Sequence, residues 1–103
     1  MNMNKMLKQA QKMQKKMIAM QKELEEKTVE STSGGGAVRA VANGRKELVT
    51  LEIAPEVVEG DDLEMLQDLI ISAVNGALRR AEEMISEEMK KATGGFNLPP
   101  GFF

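Results

Sequence analysis

The first 24 residues constrain this chain more than any other stretch, because two patterns share one helical period there. Apolar residues recur at steps of three and four, the a/d spacing of a coiled-coil helix. They form a methionine stripe of Met3, Met6, Ala10, Met13, Met17, Met20 and Leu24. Lysines lie away from this stripe or on its flank. They form a lysine band of Lys5, Lys8, Lys12, Lys15, Lys16 and Lys22. The stretch therefore predicts a helix with an apolar edge and a basic back.

The residue types that are missing exclude several classes of protein. The chain of 103 residues contains no Cys, His or Tyr. Without thiolate or imidazole ligands a structural zinc site is not expected, and without Cys there is no disulfide framework. The usual acid–base and nucleophilic residues are also missing. We therefore expect a protein that is not an enzyme and that uses no cofactor, metal or small-molecule substrate.

Charge is segregated along the chain although the formal net charge is only −2. Residues 1–22 carry six lysines and no acid, whereas residues 47–68 carry eight acids and no base. The electrostatic footprint of a protein depends on where its charge lies, so the total is a weak guide. The longest early apolar run, residues 17–20, is too short for a signal peptide or a membrane span. We expect a cytoplasmic protein that does not enter a membrane.

The order of the periodic segments predicts a single α+β domain over residues 1–103, with a three-stranded antiparallel sheet between two long helices. The predicted elements are a helix over 3–27, strands over 28–33, 37–42 and 45–54, a helix over 62–93, and an apolar tail over 94–103. The three glycines at 34–36 predict a turn, since no GxxxxGK[ST] motif and no following helix support a phosphate-binding loop. The tail either packs locally or serves as a recognition motif.

The pair Asn43-Gly44 between two alternating segments predicts a hairpin with a two-residue turn. That turn places Ala42 opposite Arg45 and Val38 opposite Val49. The apolar face of the hairpin, which we expect to form the core, is then Val38, Ala40, Val49, Leu51 and Ile53. A bulge would shift this register.

The methionine stripe has no obvious partner within one chain, because the sheet and the second helix can cover each other. A small domain buries too little surface to leave such a stripe exposed. We therefore predict a homodimer in which helices meet, and the alternative is that the stripe is intramolecular core. The predicted interface combines the adaptable methionines with small residues of the second helix, namely Met6, Met13, Met17, Met20, Ala73 and Ala77.

The lysine band allows three interpretations. It is the solvated face of a coiled coil, a membrane-surface helix, or a surface for nucleic-acid phosphates. Membrane-surface helices usually carry Trp, Phe or Leu on their apolar side, where this helix has mainly Met and Ala. The third interpretation predicts duplex DNA bound mainly through phosphate and shape, since the sequence has no recognisable base-reading helix and no aromatic platform.

Four segments together resemble the YbaB/EbfC family of bacterial nucleoid-associated DNA-binding proteins. They are KMLKQAQKMQKKM, GGGAVRAVANGRKELVTLEIAPEVV, DLEMLQDLIISAVNGALRRAEEMISEEMKK and GGFNLPPGFF. The resemblance covers nearly the whole chain and depends on the order and spacing of these segments.

The resemblance implies a cytoplasmic, nucleoid-associated homodimer whose projecting helices give it a tweezer-like shape. It implies DNA binding, an effect on DNA conformation, and roles in nucleoid organisation and gene regulation. DNA contacts would come from the projecting helices, which here means Lys5, Lys8, Lys12, Lys15 and Lys16, with Lys90 and Lys91 near the end of the second helix. The rival hypothesis is a scaffold protein whose coiled-coil edge binds other proteins without direct DNA binding.

Overall fold

The computed structural model describes residues 2–92, and the tail at 94–103 lies outside this range. The elements are α1 (Met3–Glu26), β1 (Thr28–Ser33), a 3-10 turn (Gly34–Gly36), β2 (Val38–Asn43), β3 (Leu48–Ile53), α2 (Pro55–Glu59) and α3 (Leu63–Ala92). The strands form one antiparallel sheet in the order β1-β2-β3. The predicted order of a long helix, three strands and a second long helix is confirmed.

The predicted register of the hairpin between β2 and β3 is wrong. Val38 lies opposite Ile53 rather than Val49, a displacement of four residues, and a bulge interrupts the pairing between Val41 and Ala42. The cause is the side chain of Asn43, whose Oδ1 accepts hydrogen bonds from the backbone nitrogens of Arg45, at 2.9 Å, and Glu47, at 3.2 Å. These bonds stabilise a longer loop than the sequence predicts. Because this displacement is an even number of residues, Val38 and Ala40 lie on the face that the sequence predicts for them.

The core lies between the sheet and α3 and consists mainly of small side chains. Its fully buried members, three from β2 and three from α3, are Val38, Ala40, Ala42, Ala73, Ala77 and Ala81. Such small residues let the helix approach the strands closely, and a Cβ added to Gly76 would overlap the hydroxyl oxygen of Ser31. Because Ala73 and Ala77 are covered by their own sheet, they offer no surface to a second chain.

Two hydrogen bonds join α3 to β1, one at the last residue of the strand and one near its middle. The hydroxyl of Ser33 donates to the carbonyl oxygen of Leu69 at 2.6 Å, and Nη1 of Arg80 donates to the carbonyl oxygen of Glu30 at 2.7 Å. The helix therefore lies mainly along β1 and β2, and β3 forms the edge of the sheet with little cover.

The connector after β3 contains the short helix α2, which the sequence analysis missed. Pro55 occupies its first turn, where the fixed φ of proline suits a helix and the missing N–H is not needed. Five residues are too few to show helical periodicity. Asp62 caps the start of α3, and its Oδ1 accepts a hydrogen bond from the Met65 backbone nitrogen at 3.0 Å.

The protein is elongated, with principal extents of 72 × 21 × 16 Å. Much of this length comes from α1, in which only Leu24 is buried. We call α1 the arm, and the sheet with α3 the body. Among the described residues, no helix has the length and apolar character needed to cross a membrane.

Candidate nucleic-acid interface

The arm presents the lysine band on an exposed helix. Its first turn is capped by Asn2, whose Oδ1 accepts a hydrogen bond from the Asn4 backbone nitrogen at 3.1 Å. All six lysines of the band are exposed. A helix of 24 residues is about 36 Å long, and lysines seven residues apart lie about 10 Å apart. The band is therefore a row of positive charges along most of the arm.

Cations of the body are neutralised by carboxylates to a greater extent than those of the arm. Arg45 pairs with Glu47 at 3.1 Å, and Lys46 pairs with Glu82 at 3.7 Å. Within residues 2–92, none of the six lysines in the band makes an ion pair. An ion pair already satisfies part of the charge, so the arm is the stronger attractor for phosphates.

Arg39 shows what pairing does to a cation of the body. It lies between two glutamates of the neighbouring strands, and its guanidinium donates hydrogen bonds to Glu30 and Glu52. The bond to Glu30 raises the pKa of Arg39, with both glutamate charges acting in the same direction. This group fastens the three strands together across the outer face of the sheet.

The two lysines predicted at the end of α3 lie in a different setting. Nζ of Lys91 is 3.9 Å from Oε1 of Glu88, which also accepts a contact from Nζ of Lys27 at 3.1 Å. The hydrogen bond from Lys27 is the main cause of the lowered pKa of Glu88. Lys90 also has an interaction partner. Lys91 therefore belongs to a charged cluster with Glu88 and Lys27 at the base of the arm, whereas the band extends away from it.

Most of the methionine stripe is exposed in one chain. The exposed fraction is 75% at Met3, 52% at Met6, 67% at Met13 and 40% at Met17. This exposure agrees with the prediction that the stripe has no partner within the chain. The alternative of an intramolecular core holds for Leu24, which is 5% exposed.

The last turns of the arm meet the last turns of α3 in a shallow groove of about 370 Å³. Apolar side chains from both helices line it, and the β2–β3 loop closes one end. The lining residues are Met17, Met20, Gln21, Leu24, Glu25, Gly44, Arg45, Ile85 and Met89. Within residues 2–92, the contacts that line this groove come from the C-terminal half of the arm.

Sequence reasoning missed an exposed apolar surface on β3. Leu51 lies opposite Ala40 on the inner face of the sheet, and Leu48 lies opposite Ala42, yet they are 40% and 41% exposed. The sequence analysis assigned Leu51 to the core. No local sequence pattern predicts this surface, because it depends on where α3 lies across the sheet.

Comparisons with known proteins agree with this architecture. The model of the YbaB/EbfC DNA-binding family matches residues 1–96. The chain is 65% identical over 98 residues to the nucleoid-associated protein TTE0040 of Caldanaerobacter subterraneus, covering 95% of this chain and 88% of that one. It is 58% identical over 102 residues to a nucleoid-associated protein of Acetivibrio thermocellus, covering 99% and 90%.

A solved structure shares the fold. It is the crystal structure of the uncharacterized protein HP0035 from Helicobacter pylori, with a TM-score of 0.76 and 27% identity over 90% of this chain and 98% of that one. The matched family is a DNA-binding family and not a family of enzymes, as the sequence analysis predicted. The length of the match and the identity to its members lead to one conclusion: the chain belongs to the YbaB/EbfC DNA-binding family.

Proposed function

We propose that this protein binds duplex DNA through backbone phosphates and that the lysine band of the arm makes the contacts. The observation that carries the proposal is the contrast in pairing, since the six band lysines have no carboxylate partner within residues 2–92. Each phosphate contact made by such a lysine releases a condensed counterion, which drives binding at low salt. Membership of a DNA-binding family supports the same ligand.

Contacts to phosphate position a protein on DNA without reading its sequence. The arm offers lysine, glutamine and methionine side chains on a single helix and no helix-turn-helix geometry around it. We therefore propose binding that depends on the shape and deformability of the duplex, with a change in DNA conformation on binding. Such binding suits roles in nucleoid organisation and gene regulation. The nucleoid-associated names of the relatives support the role in nucleoid organisation and a location on the nucleoid.

We also propose that the protein acts as a homodimer. The support comes from two apolar surfaces. One is the methionine stripe, which is exposed at Met6, Met13 and Met17 and half-buried at Met20, and the other is the exposed inner face of β3 at Leu48 and Leu51. Exposed apolar patches of this kind mark protein interfaces more often than free surface. A second copy carries the same patches, so a two-fold arrangement can close without leaving an open end. A dimer would hold two arms and two lysine bands on one DNA molecule.

A salt titration of DNA binding tests the central proposal. Fluorescence anisotropy with a labelled duplex is measured from about 50 mM to about 300 mM salt, with a single strand of the same sequence as comparison. Contacts with about five phosphates predict a slope of log K against log salt near −4.5. Binding with a slope near zero, or the absence of binding to the duplex at low salt, would contradict the proposal and favour the scaffold hypothesis.

A further inference from the structure

We infer that Gly44 is a positioning residue that sets the direction in which the arm leaves the body. Gly44 follows the last residue of β2, and its backbone nitrogen donates to the carbonyl oxygen of Lys27 at 3.1 Å. This bond extends the pairing of β1 and β2 by one step beyond Thr28 and Asn43. The end of the arm is thereby joined directly to the end of β2.

The position has no room for a side chain. A Cβ added to Gly44 would overlap the carbonyl group of Leu24 and lie 3.2 Å from the backbone nitrogen of Glu25. Both groups belong to the backbone of the last turn of the arm, so they cannot swing aside as the end of a flexible side chain can. Gly44 is not among the residues with positive φ, which shows that space and not backbone conformation requires glycine.

The arm yields more easily than the loop that carries Gly44. Asn43 holds this loop through two side-chain bonds, and its backbone makes two more, from its nitrogen to Glu47 at 3.0 Å and from Lys46 to its carbonyl oxygen at 3.0 Å. The arm is held at its base by the buried side chain of Leu24 and by the ion pair at Lys27. A side chain at position 44 therefore turns the arm.

A small tilt at the base of the arm produces a large displacement of its tip. For a helix about 36 Å long, a tilt of about 10° moves the far end by about 6 Å. Phosphates of one DNA strand advance about 3.4 Å along the helix axis at each step, so the band is displaced by roughly two phosphates. The effect on DNA binding rests on the proposed function, whereas the effect on the direction of the arm does not.

Spin-label distance measurements test this inference directly, because the natural chain has no cysteine and introduced labels are therefore specific. Labels are placed at Gln14→Cys on the arm and Asn75→Cys on α3, both exposed and outside the lysine band. Labelled protein is diluted into unlabelled protein so that distances within one chain dominate. The distance distribution is compared for the parent, Gly44→Ala and Gly60→Ala.

Gly60→Ala is a matched control. Gly60 also follows a secondary-structure element, but its φ of −69° suits alanine and the nearest atoms to an added Cβ are 3.6 Å away. We expect Gly44→Ala to shift the distance by several ångströms and to weaken duplex binding several-fold, while the control matches the parent in both. A folded Gly44→Ala protein with the parent distance would overturn the inference.

These measurements distinguish a failure of the inference about Gly44 from a failure of the proposed DNA binding through the arm. A shifted distance with unchanged DNA affinity would support the role of Gly44 in positioning the arm and contradict DNA binding through the arm. If Gly44→Ala does not fold, Asn43→Ala replaces it, since this change removes the two side-chain bonds that hold the loop. We then expect a broader distance distribution than in the parent, and an unchanged distribution would overturn the inference.

Discussion

The arm and the body of this protein differ in how far their apolar side chains are buried and in how far their cations are paired. In the body, apolar side chains at the centre are small and fully buried, and several cations, namely Arg39, Arg45 and Lys46, lie in ion pairs with glutamates. In the arm, apolar side chains are large and exposed, and the lysines of the band are unpaired within residues 2–92. The body thus buries its apolar side chains within one chain, whereas the arm leaves apolar and basic side chains exposed.

This division bears on the stability of the arm. Most of the stability of helices in proteins comes from tertiary packing, yet α1 buries only Leu24, and three glutamates near its C-terminal end oppose the helix dipole there. In the proposed dimer, packing of the stripe against a second chain would add the burial that α1 lacks within one chain. The predictions below test whether the arm and the body are separate in this way.

The largest expected effect concerns the exposed apolar surfaces. Met13→Asp with Met17→Asp, and separately Leu48→Asp with Leu51→Asp, place unpaired charges in the proposed dimer interface. Such burial costs roughly 4 kcal/mol or more, which raises the dissociation constant of the dimer about 1,000-fold. Sedimentation equilibrium should show monomers. Ile18→Asp, on the arm but off the stripe, is the control and should leave the dimer intact. A pair of substitutions that does not dissociate the dimer removes its surface from the interface.

The next effect concerns DNA affinity. Changing Lys8, Lys12 and Lys15 to Gln removes three phosphate contacts from the band, which should weaken duplex binding on the order of 100-fold near 0.15 M salt. The salt slope should fall by about 2.7. Fluorescence anisotropy measures both quantities.

A matched triple variant separates position from charge. Changing Arg45, Lys46 and Arg79 to Gln removes the same formal charge from exposed positions on the body. We expect a much smaller loss of affinity and little change of slope. Equal losses in the two triple variants would mean that the charge of the whole protein, and not the arm, determines binding.

A third prediction compares the same substitution in the two regions. Ala77→Leu adds three carbon atoms where α3 meets the sheet, and should lower the free energy of unfolding by about 1–3 kcal/mol. Ala19→Leu adds them to an exposed position of the arm outside the stripe and should change it by less than about 0.5 kcal/mol. Urea unfolding measures both values. Equal destabilisation by the two variants would contradict the separation of arm and body.

The smallest effect concerns the ion pair at the base of the arm. The pKa of Glu88 is lowered mainly by the hydrogen bond from Lys27, so the charged form is favoured in the folded protein. Its contribution to stability is complete above the ordinary glutamate pKa of about 4.3 and is lost as the pH falls through the lowered value. The parent should melt at a higher temperature than Glu88→Gln at pH 6, and this difference should disappear toward pH 3. Glu83→Gln, which removes an exposed carboxylate of the same helix, should show no such trend.

Much of the fold could be predicted because it follows from local patterns. Periodicity gave the two long helices, and the alternation around Asn43-Gly44 gave the antiparallel hairpin. The register could not be predicted, because it depends on how the Asn43 side chain bonds within the loop. The prediction that Ala73 and Ala77 meet a second chain recognised a place of close approach but not the partner, which is the sheet of the same chain.

The candidate site, like the fold, could be predicted from the sequence only in part. The lysine band and the methionine stripe follow from spacing along one helix, and the structure shows the band and most of the stripe exposed. That the band contacts DNA remains a prediction. The exposed inner face of β3 could not be found from the sequence, since the width of sheet that a helix covers depends on where the helix lies.

The sequence by itself determined which faces of the arm are apolar and basic, because side-chain direction in a helix depends only on the position within each turn. Tertiary structure alone decided which of those faces remain open and where the arm leaves the body. The physical reason is that burial and ion pairing depend on residues far apart in the chain, such as Lys27 with Glu88 and Gly44 with Leu24. Patterns among neighbouring residues in the sequence do not specify contacts between residues so far apart in the chain.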